Sequence, residues 1–266
     1  MDATQSYAGR TALVTGASSG IGEGLAEALA ARGADLVLVA RRTDALHALA
    51  DRVRSAHGRR VDVLPADLGL PGAGADLQAR VAELGLRIDV LVNNAGFAVS
   101  GPVASADPER LLAQVPLNCG AVVDLTSRFL PAMVQRHSGV ILNVASLAAL
   151  QPVPGLAVYA ATKAFVLSFT EALWAEQRGS GVRVLAVCPG PTDTPFFEVA
   201  GEDSDTGLPR RTVDHVVATT MRALEGDGPS VVDGPLYKVL GAVTRLLPRR
   251  TLASLAGVVA KPRPGR

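Results

Sequence analysis

Short runs of Val, Leu, Ile and Ala alternate along this chain with longer segments whose apolar residues recur at helical spacing. Several of the short runs are continuously apolar, which is typical of strands that are covered on both faces. The alternation predicts repeated strand–helix–strand units around a parallel sheet. We therefore expect an α/β fold in which one doubly wound domain, residues 1–266, has a parallel seven-stranded sheet with helices on both faces.

The predicted strands are Thr11–Val14, Asp35–Ala40, Val61–Leu64, Val90–Asn93, Val140–Val144, Val182–Val187 and Val231–Val232. The predicted helices are near Ile21–Arg32, Asp44–Ser55, Ala75–Glu83, Pro108–Gln135, Ala157–Arg178 and Val213–Leu224. Pro116 should kink or split the fourth helix, because proline removes a backbone hydrogen bond. Residues 190–212 are rich in proline and turn residues and predict a long loop, of a kind that is usually functional or disordered.

Charge and composition exclude several classes of protein. The net charge is +1, and a general nucleic-acid binder carries a strong basic excess. Cys119 and Cys188 are too few for a disulfide framework and fit a reducing cytoplasm. The four histidines lie far apart without ligand spacing, so no metal site is predicted. The N-terminal ten residues lack the pattern of a secretory signal, and we expect a cytoplasmic protein.

A glycine-rich turn, TGASSGIG over residues 15–22, follows the first predicted strand and leads directly into a helix. Glycines allow the backbone to approach a pyrophosphate closely, and the dipole of the helix favours an anion at its N-terminus. The spacing Gly-x-x-x-Gly-x-Gly departs from the ordinary Gly-x-Gly-x-x-Gly fingerprint. On this motif alone, a phosphate-binding turn and a plain strand-to-helix turn both remain open.

Tyr159 and Lys163 are four residues apart in a predicted helix and therefore share a face. A phenol has a pKa near 10, and a neighbouring ammonium favours its ionised form, so the pair suits proton transfer. An amphipathic helix with a snorkelling lysine has the same spacing, so the pair alone decides nothing. Two further motifs occur in order: NNAG at residues 93–96, and Ser146, thirteen residues before Tyr159.

With these motifs in this order, the chain resembles the short-chain dehydrogenase/reductase family from about Thr11 to Thr194. The resemblance rests on TGASSGIG, NNAG, the Asn of LNCG, the Ser of NVAS, YAATK and CPGPT. The segments VARRTDALHALA and AVYAATKAFVLSFTEAL are similar to the branch described as dehydrogenases of various substrate specificities, near ketoacyl and hydroxysteroid reductases. The family implies a Rossmann fold and an oxidoreductase that interconverts a ketone and a secondary alcohol.

The resemblance implies a catalytic set of Asn118, Ser146, Tyr159 and Lys163. Tyr159 would be the acid and base, and Lys163 would lower its pKa and hold the nicotinamide ribose. Ser146 would hydrogen-bond the substrate oxygen, and Asn118 would hold a water that joins Lys163 to solvent. A non-catalytic dinucleotide-binding regulator is an alternative on the same fold. The intact set argues against it, because a pure binder needs no proton-transfer group.

The motifs also imply a set of cofactor-binding positions, among which Thr192 and Thr194 would meet the nicotinamide carboxamide. These positions are Gly16, Ser18, Ser19, Gly20, Ile21, Gly22, Asp67, Leu68, Asn94, Ala95, Gly96, Tyr159, Lys163, Pro189, Gly190, Thr192 and Thr194.

The end of the second predicted strand indicates which cofactor is bound. An NAD site usually places an acid there, but this strand ends at Ala40 and continues with Arg41 and Arg42. Asp35 opens the strand and so lies at its wrong end, and Asp44 comes too late. Arginine offers a planar fork of donors to a 2′-phosphate. We therefore expect NADP(H), with an NAD-dependent alcohol dehydrogenase of the same family as the alternative.

Apolar residues flank the implied site and favour a bulky apolar ketone, although ordinary packing of loops is an equal alternative for each of them. These residues are Phe97, Val99, Leu147, Pro152, Val153, Phe196 and Phe197. The family also implies a homodimer or homotetramer, formed through the helices that contain Asn118 and Tyr159.

The C-terminal tail, residues 238–266, is unusual in its charge. After Asp233 the chain contains seven basic residues and no acidic residue. Two interpretations remain open for Leu246–Ala260. The segment rests against an anionic membrane or a partner, or it forms a surface helix that packs near the substrate site and ends in a frayed terminus.

Overall fold

Parallel strands form the centre of the molecule. The computed structural model describes residues 6–201, 208–244 and 247–259. Its strands are β1 (Thr11–Thr15), β2 (Asp35–Val39), β3 (Val61–Val63), β4 (Val90–Asn93), β5 (Gly139–Val144), β6 (Val182–Cys188) and β7 (Ser230–Val232). They form a seven-stranded sheet in the order β3-β2-β1-β4-β5-β6-β7. Every neighbouring pair is parallel, which confirms the predicted doubly wound sheet.

Helices connect the strands and cover both faces of the sheet. They are α1 (Gly20–Ala31), α2 (Thr43–His57), α3 (Ala73–Glu83), α4 (Pro108–Val115), α5 (Ala121–Gln135), α6 (Ala157–Glu176), α7 (Phe196–Ala200), α8 (Val213–Leu224), α9 (Pro235–Thr244) and α10 (Arg249–Val259). A π-helical turn, Pro116–Gly120, joins α4 to α5, so the chain is split at the proline as predicted. A 3-10 turn, Leu147–Leu150, follows β5.

Two segments contain helices beyond the six that the apolar periodicity predicted. The predicted loop 190–212 contains the short helix α7, and its residues 202–207 lie outside the described part of the chain. The tail forms α9 and α10, and its residues 245–246 and 260–266 also lie outside the described part. Among the described residues, no helix combines the length and apolar character needed to cross a membrane.

The core lies in two layers, one on each face of the sheet. Ala12 and Val14 of β1 belong to the layer that α1, α2 and α8 cover. Leu13 belongs to the opposite layer, under α3, α5 and α6. Because both faces are covered, most of the strands contain a continuous apolar run. The carboxyl ends of all seven strands meet at one edge, where ligands bind in open α/β sheets. Asp35 opens β2 at the opposite edge, as predicted.

A buried polar network joins β4 and β5 to the helices. The Asn93 amide donates to Asn143 Oδ1 over 2.9 Å and to Thr126 Oγ1 over 3.2 Å. The Asn143 amide donates over 2.9 Å to Thr170 Oγ1, whose hydroxyl donates to the Val166 carbonyl. The four polar side chains are at most 4% exposed. Their mutual hydrogen bonds therefore replace most of those to water, with Asn93 Oδ1 left without a partner among the described residues, and fix α5 and α6 on the sheet.

Thr170→Val should lower the free energy of unfolding by about 1–3 kcal/mol, because it leaves the buried Asn143 amide without its acceptor. Urea denaturation measures the loss. Thr220→Val is the matched control, since Thr220 is equally buried and its hydroxyl also donates to the carbonyl four residues earlier. Equal losses in the two variants would mean that the bond from Asn143 contributes nothing.

Candidate active site

A cavity of about 730 Å³ opens at the carboxyl edge of the sheet. The sequence-predicted site residues line this cavity, with the exceptions of Gly22 and Asn118. Each of β1 to β6 is followed by lining residues, so the parallel sheet itself brings segments that are far apart in sequence to one place.

The glycine-rich turn after β1 needs its glycines for two different reasons. Gly16 and Gly20 have positive φ angles of 63° and 60°, which side chains rarely adopt. A Cβ on Gly22 would lie 2.4 Å from the Gly16 carbonyl oxygen, so Gly22 packs beneath the turn and not on the cavity wall. The Ser19 side chain does not cap α1. The first N–H groups of α1 are therefore available to an anion.

Thr15 connects this turn to the end of β4. Its hydroxyl donates to Val92 O over 3.1 Å and accepts the N–H groups of Asn94 and Ala95 over 2.9 and 3.0 Å. The Asn94 amide donates back to the carbonyls of Thr15 and Gly16. Sequence reasoning assigned no role to Thr15. Its position at the end of β1, directly before the first glycine, was the available signal.

Two arginines follow β2 at the same end of the cavity. Arg42 donates to Ser18 Oγ over 3.2 Å, to Ser18 O over 3.1 Å and to Ser19 Oγ over 2.7 Å. Arg41 lies 3.7 Å from the Asp67 carboxylate, and its side chain is 72% exposed. Of the two arginines, Arg42 is the one that contacts the glycine-rich turn. Both guanidinium groups give this end of the cavity a positive charge.

Tyr159 and Lys163 lie one turn apart on α6 and are 8% and 5% exposed. The Lys163 ammonium lies 5.8 Å from the centre of the Tyr159 ring and donates to Val144 O over 2.7 Å. Ser146 lines the same cavity as Tyr159 and Lys163. Its Oγ accepts the Ala148 N–H over 3.1 Å, which fixes the start of the 3-10 turn. Three of the four predicted catalytic residues therefore meet at the cavity.

Burial controls the protonation of this pair. Desolvation raises the pKa of Tyr159 to about 12, although the hydrogen bond with Ser146 acts in the opposite direction. Desolvation also lowers the pKa of Lys163 to about 8. Lys163 was expected to lower the pKa of Tyr159, but its ammonium points to the Val144 carbonyl and desolvation of the phenol dominates. Tyr159 is therefore protonated at neutral pH.

Asn118 lies in the π-helical turn and is fully buried. Its Oδ1 accepts the Phe97 N–H over 3.1 Å, and its amide donates to Phe97 O over 2.9 Å and to Thr162 Oγ1 over 3.0 Å. A Cβ on Gly96 would lie 2.9 Å from Asn118 Oδ1, so only glycine permits this close approach. Asn118 therefore holds the turn against Phe97 and α6, and it does not reach the cavity wall.

The far end of the cavity is apolar, and sequence reasoning missed much of it. The tail contributes Leu240, Gly241, Val243, Thr244, Leu247, Leu252 and Ala256. Leu252 is 6% exposed, so α10 is seated on the body of the molecule. The described part of the tail thus packs near the site, which was one of its two interpretations. Of the seven apolar residues predicted to flank the site, Val99 and Pro152 are not on the cavity wall.

Comparison with known proteins agrees with this geometry. Residues 10–205 match the model of the family described as short chain dehydrogenase. The chain belongs to this family. Very-long-chain 3-oxoacyl-CoA reductase-B of Danio rerio is 33% identical to this chain over 249 residues. The alignment covers 92% of this chain and 78% of that reductase.

Two solved structures resemble this chain over nearly its full length. One is a short-chain dehydrogenase from Sphingobium yanoikuyae in complex with NADPH, with 36% identity, a TM-score of 0.80, and coverage of 97% of this chain and 98% of that one. The other is the bulky-bulky ketone specific alcohol dehydrogenase from Comamonas testosteroni, with 29% identity, a TM-score of 0.77 and coverage of 97% and 96%. The chain is an oxidoreductase of the short-chain dehydrogenase family.

Lys163→Met should remove a pH dependence of stability. The pKa of Lys163 is lowered from 10.5 to about 8 in the folded state, so between these values the unfolded state holds more protons. Stability therefore rises with pH across this window, by about 3 kcal/mol for a fully buried group. Urea denaturation from pH 7 to pH 11 should show the natural protein gaining this stability relative to Lys163→Met. Lys238→Met, at an exposed lysine, is the control. Parallel profiles of unfolding free energy against pH for Lys163→Met and the natural protein would contradict the expected burial.

Proposed function

We propose that this chain is an NADP(H)-dependent oxidoreductase that interconverts a bulky apolar ketone and a secondary alcohol, with Tyr159 as acid and base. One observation carries the proposal: a single cavity joins the glycine-rich turn and Arg42, the buried Tyr159 with Ser146 and Lys163, and an apolar far end. Its volume of about 730 Å³ lies within the range of cofactor and substrate sites. The arrangement therefore has a place for each reactant.

The residues at the positive end fit a dinucleotide that carries a 2′-phosphate. The uncapped N-terminus of α1 would receive the pyrophosphate, together with Ser18 and Ser19. Arg41 and Arg42 would bind the 2′-phosphate as planar donors. The Sphingobium yanoikuyae relative is described as a complex with NADPH, which supports this choice.

The remaining predicted positions divide along the cavity. Asp67 and Leu68 would meet the adenine, Asn94 to Gly96 would border the nicotinamide ribose with Tyr159 and Lys163, and Pro189, Gly190, Thr192 and Thr194 would meet the carboxamide end. When bound, NADP(H) supplies or accepts the hydride at the nicotinamide C4. The protein then has to orient the reactants and to move one proton.

Tyr159 Oη would donate that proton to the ketone oxygen during reduction. Burial keeps the pKa of Tyr159 at about 12, so the phenol carries the proton that reduction requires. Ser146 would hydrogen-bond the same substrate oxygen, and both donors would act in a buried site where they stabilise developing negative charge. Lys163 would bind the ribose and return a proton to Tyr159. The role of holding a water, which the resemblance implied for Asn118, does not fit its side chain, because its amide and Oδ1 are hydrogen-bonded to Phe97 and Thr162. Asn118 would instead support α6 from behind the cavity wall.

The apolar end of the cavity supports a bulky apolar substrate. The Phe196 ring lies 5.4 Å from the Tyr159 ring, and Val153 and Leu156 pack in the same cluster. Leu252 of α10 extends the apolar wall. The Comamonas testosteroni relative is described as specific for bulky-bulky ketones, which supports the same class.

We also propose a cytoplasmic homodimer or homotetramer. Cys119 and Cys188 are not joined to each other in a disulfide, and a chain with only two cysteines suits a reducing compartment. The helices around Asn118 and Tyr159 carry exposed apolar side chains, including Leu112 at 69% and Phe165 at 43% exposure. Such side chains support association through these helices.

Tyr159→Phe should lower kcat for ketone reduction at least about a hundredfold, because it removes the transferable proton and keeps the ring. NADPH absorbance with a panel of apolar ketones measures turnover, and calorimetry should find the Kd for NADPH within a few-fold of the natural value. Tyr7→Phe is the matched control, since Tyr7 is also buried but lies outside the cavity. Near-normal turnover in Tyr159→Phe would refute the mechanism.

NADPH should be preferred over NADH by more than about tenfold in kcat/KM, which corresponds to about 1.4 kcal/mol or more. The double variant Arg41→Ala/Arg42→Ala should lose this preference, because no guanidinium would remain at the 2′-phosphate. Arg52→Ala serves as the control, because Arg52 pairs instead with Glu23 and Glu27 on α1. Equal use of both nucleotides by the natural protein, or a preference that survives in the double variant, would refute the assignment.

A further inference from the structure

Main-chain hydrogen bonds join the two ends of the loop that carries Thr192 and Thr194. The Asp193 N–H donates to Arg211 O over 2.8 Å, and the Arg211 N–H donates to Pro191 O over 2.7 Å. Thr192 and Arg211 form an isolated parallel bridge. Residues 191–193 and Arg211, which we call the neck, therefore hold together the two ends of the segment that contains α7.

The Arg211 side chain anchors the neck to a buried carboxylate. Arg211 Nε donates to Asp233 Oδ2 over 2.9 Å and Nη2 reaches Oδ1 over 3.4 Å. Thr219 Oγ1 donates to Asp233 Oδ1 over 2.6 Å. The Asp233 side chain is 0% exposed, and the Arg211 side chain is 27% exposed. A charge-assisted pair with two donor atoms on one carboxylate fixes direction as well as distance.

The carboxylate stays ionised although it is buried. Burial alone would raise the pKa of Asp233, but the hydrogen bonds from Arg211 and Thr219 outweigh it and hold the pKa below the ordinary value. The Asp233 N–H donates to Cys188 O over 3.2 Å, directly after β7, so the anion is fixed relative to the sheet. The neck is thus tied through Arg211 to the rigid part of the fold.

A second contact supports the same segment from α9. A Cβ on Gly190 would lie 2.5 Å from a carbon of the Tyr237 ring, so the ring packs directly against the Gly190 backbone. The Tyr237 hydroxyl donates to Pro209 O. Thr192 Oγ1 donates to Gly190 O over 2.9 Å, which links this contact to the neck.

The supporting side chains stand behind the cavity and not in its wall. Gly190, Thr192 and Thr194 line the cavity, while Arg211, Asp233 and Tyr237 do not. A displacement of about 1 Å in such a wall lowers reaction rates strongly, because the reactants lose their alignment. The carboxylate can therefore act on the reaction through the backbone that it holds.

We propose that Asp233 and Arg211 are positioning residues that hold segment 190–194 against the carboxamide of NADP(H). The assignment rests on the proposed function. It predicts that loss of the ion pair weakens only those cofactor contacts that involve the carboxamide. A residue needed merely for folding would weaken the binding of every nucleotide equally.

The test compares NADP⁺ with its 3-acetylpyridine analogue, in which a methyl group replaces the amino group of the carboxamide. Calorimetry gives the Kd of each nucleotide for the natural protein and for Asp233→Asn. The natural protein should prefer NADP⁺, and the variant should lose roughly fivefold or more of that preference, a coupling of the usual size for groups in one network. Arg211→Lys, which keeps the charge but not the fork, should lose less.

Asp89→Asn is the matched control. Asp89 is 4% exposed, lies directly before β4 and pairs with Arg87 and Arg136 at 2.9 and 3.5 Å. This variant should lower Tm and keep the natural ratio of the two Kd values. Thr219→Val, which removes one donor to Asp233, tests the same ratio if Asp233→Asn does not fold.

If the ratio of the two Kd values is unchanged in Asp233→Asn, whether or not both nucleotides bind more weakly, the positioning role is overturned and the proposed function stays intact. A natural protein that binds neither nucleotide would overturn the proposed function and the positioning role together.

Discussion

The junction between β1 and β4 is the constraint on which the rest of the structure depends. The chain winds outward from β1 through β2 to β3 and then returns to the other side of β1 with β4. A crevice must open where the two directions diverge, because the connections leave to opposite sides. At the base of this crevice, the Thr15 hydroxyl accepts hydrogen bonds from the N–H groups of Asn94 and Ala95 and so joins the ends of β1 and β4. The glycine-rich turn and the NNAG segment are therefore one structural unit.

The same crevice contains two buried ionisable side chains, although burial in a protein core usually disfavours such groups. Tyr159 and Lys163 are buried on α6, and their pKa values shift in opposite directions, to about 12 and about 8. Both shifts favour the uncharged form, which is the direction that desolvation imposes. A simple structural helix would have no need of a buried lysine. The cost of burial is therefore an argument, independent of the motif, that supports the role proposed for the pair.

The sequence predicted the strands and most helices well, because both faces of the sheet are covered and most strands therefore contain a continuous apolar run. It also predicted the break at Pro116, since the loss of a backbone bond is a local effect. It did not predict that Leu252 would seat α10 on the cavity, because the apolar spacing of a helix does not say which surface it meets. Likewise, adjacent arginines look alike in sequence, and only the turn at Ser18 distinguishes Arg42 from Arg41.

The two ends of the cavity differ in chemical character. Arg41, Arg42 and Asp67 lie at the nucleotide end, while the opposite end is formed mainly by aliphatic and aromatic side chains. An apolar wall around Tyr159 would exclude water when a substrate is bound, and this exclusion would strengthen the hydrogen bonds to the substrate oxygen in the proposed reaction. The tail helices α9 and α10 build part of that wall. In the proposed reaction these helices would have two roles, because the surface that would select an apolar substrate would also keep water away from the proton transfer.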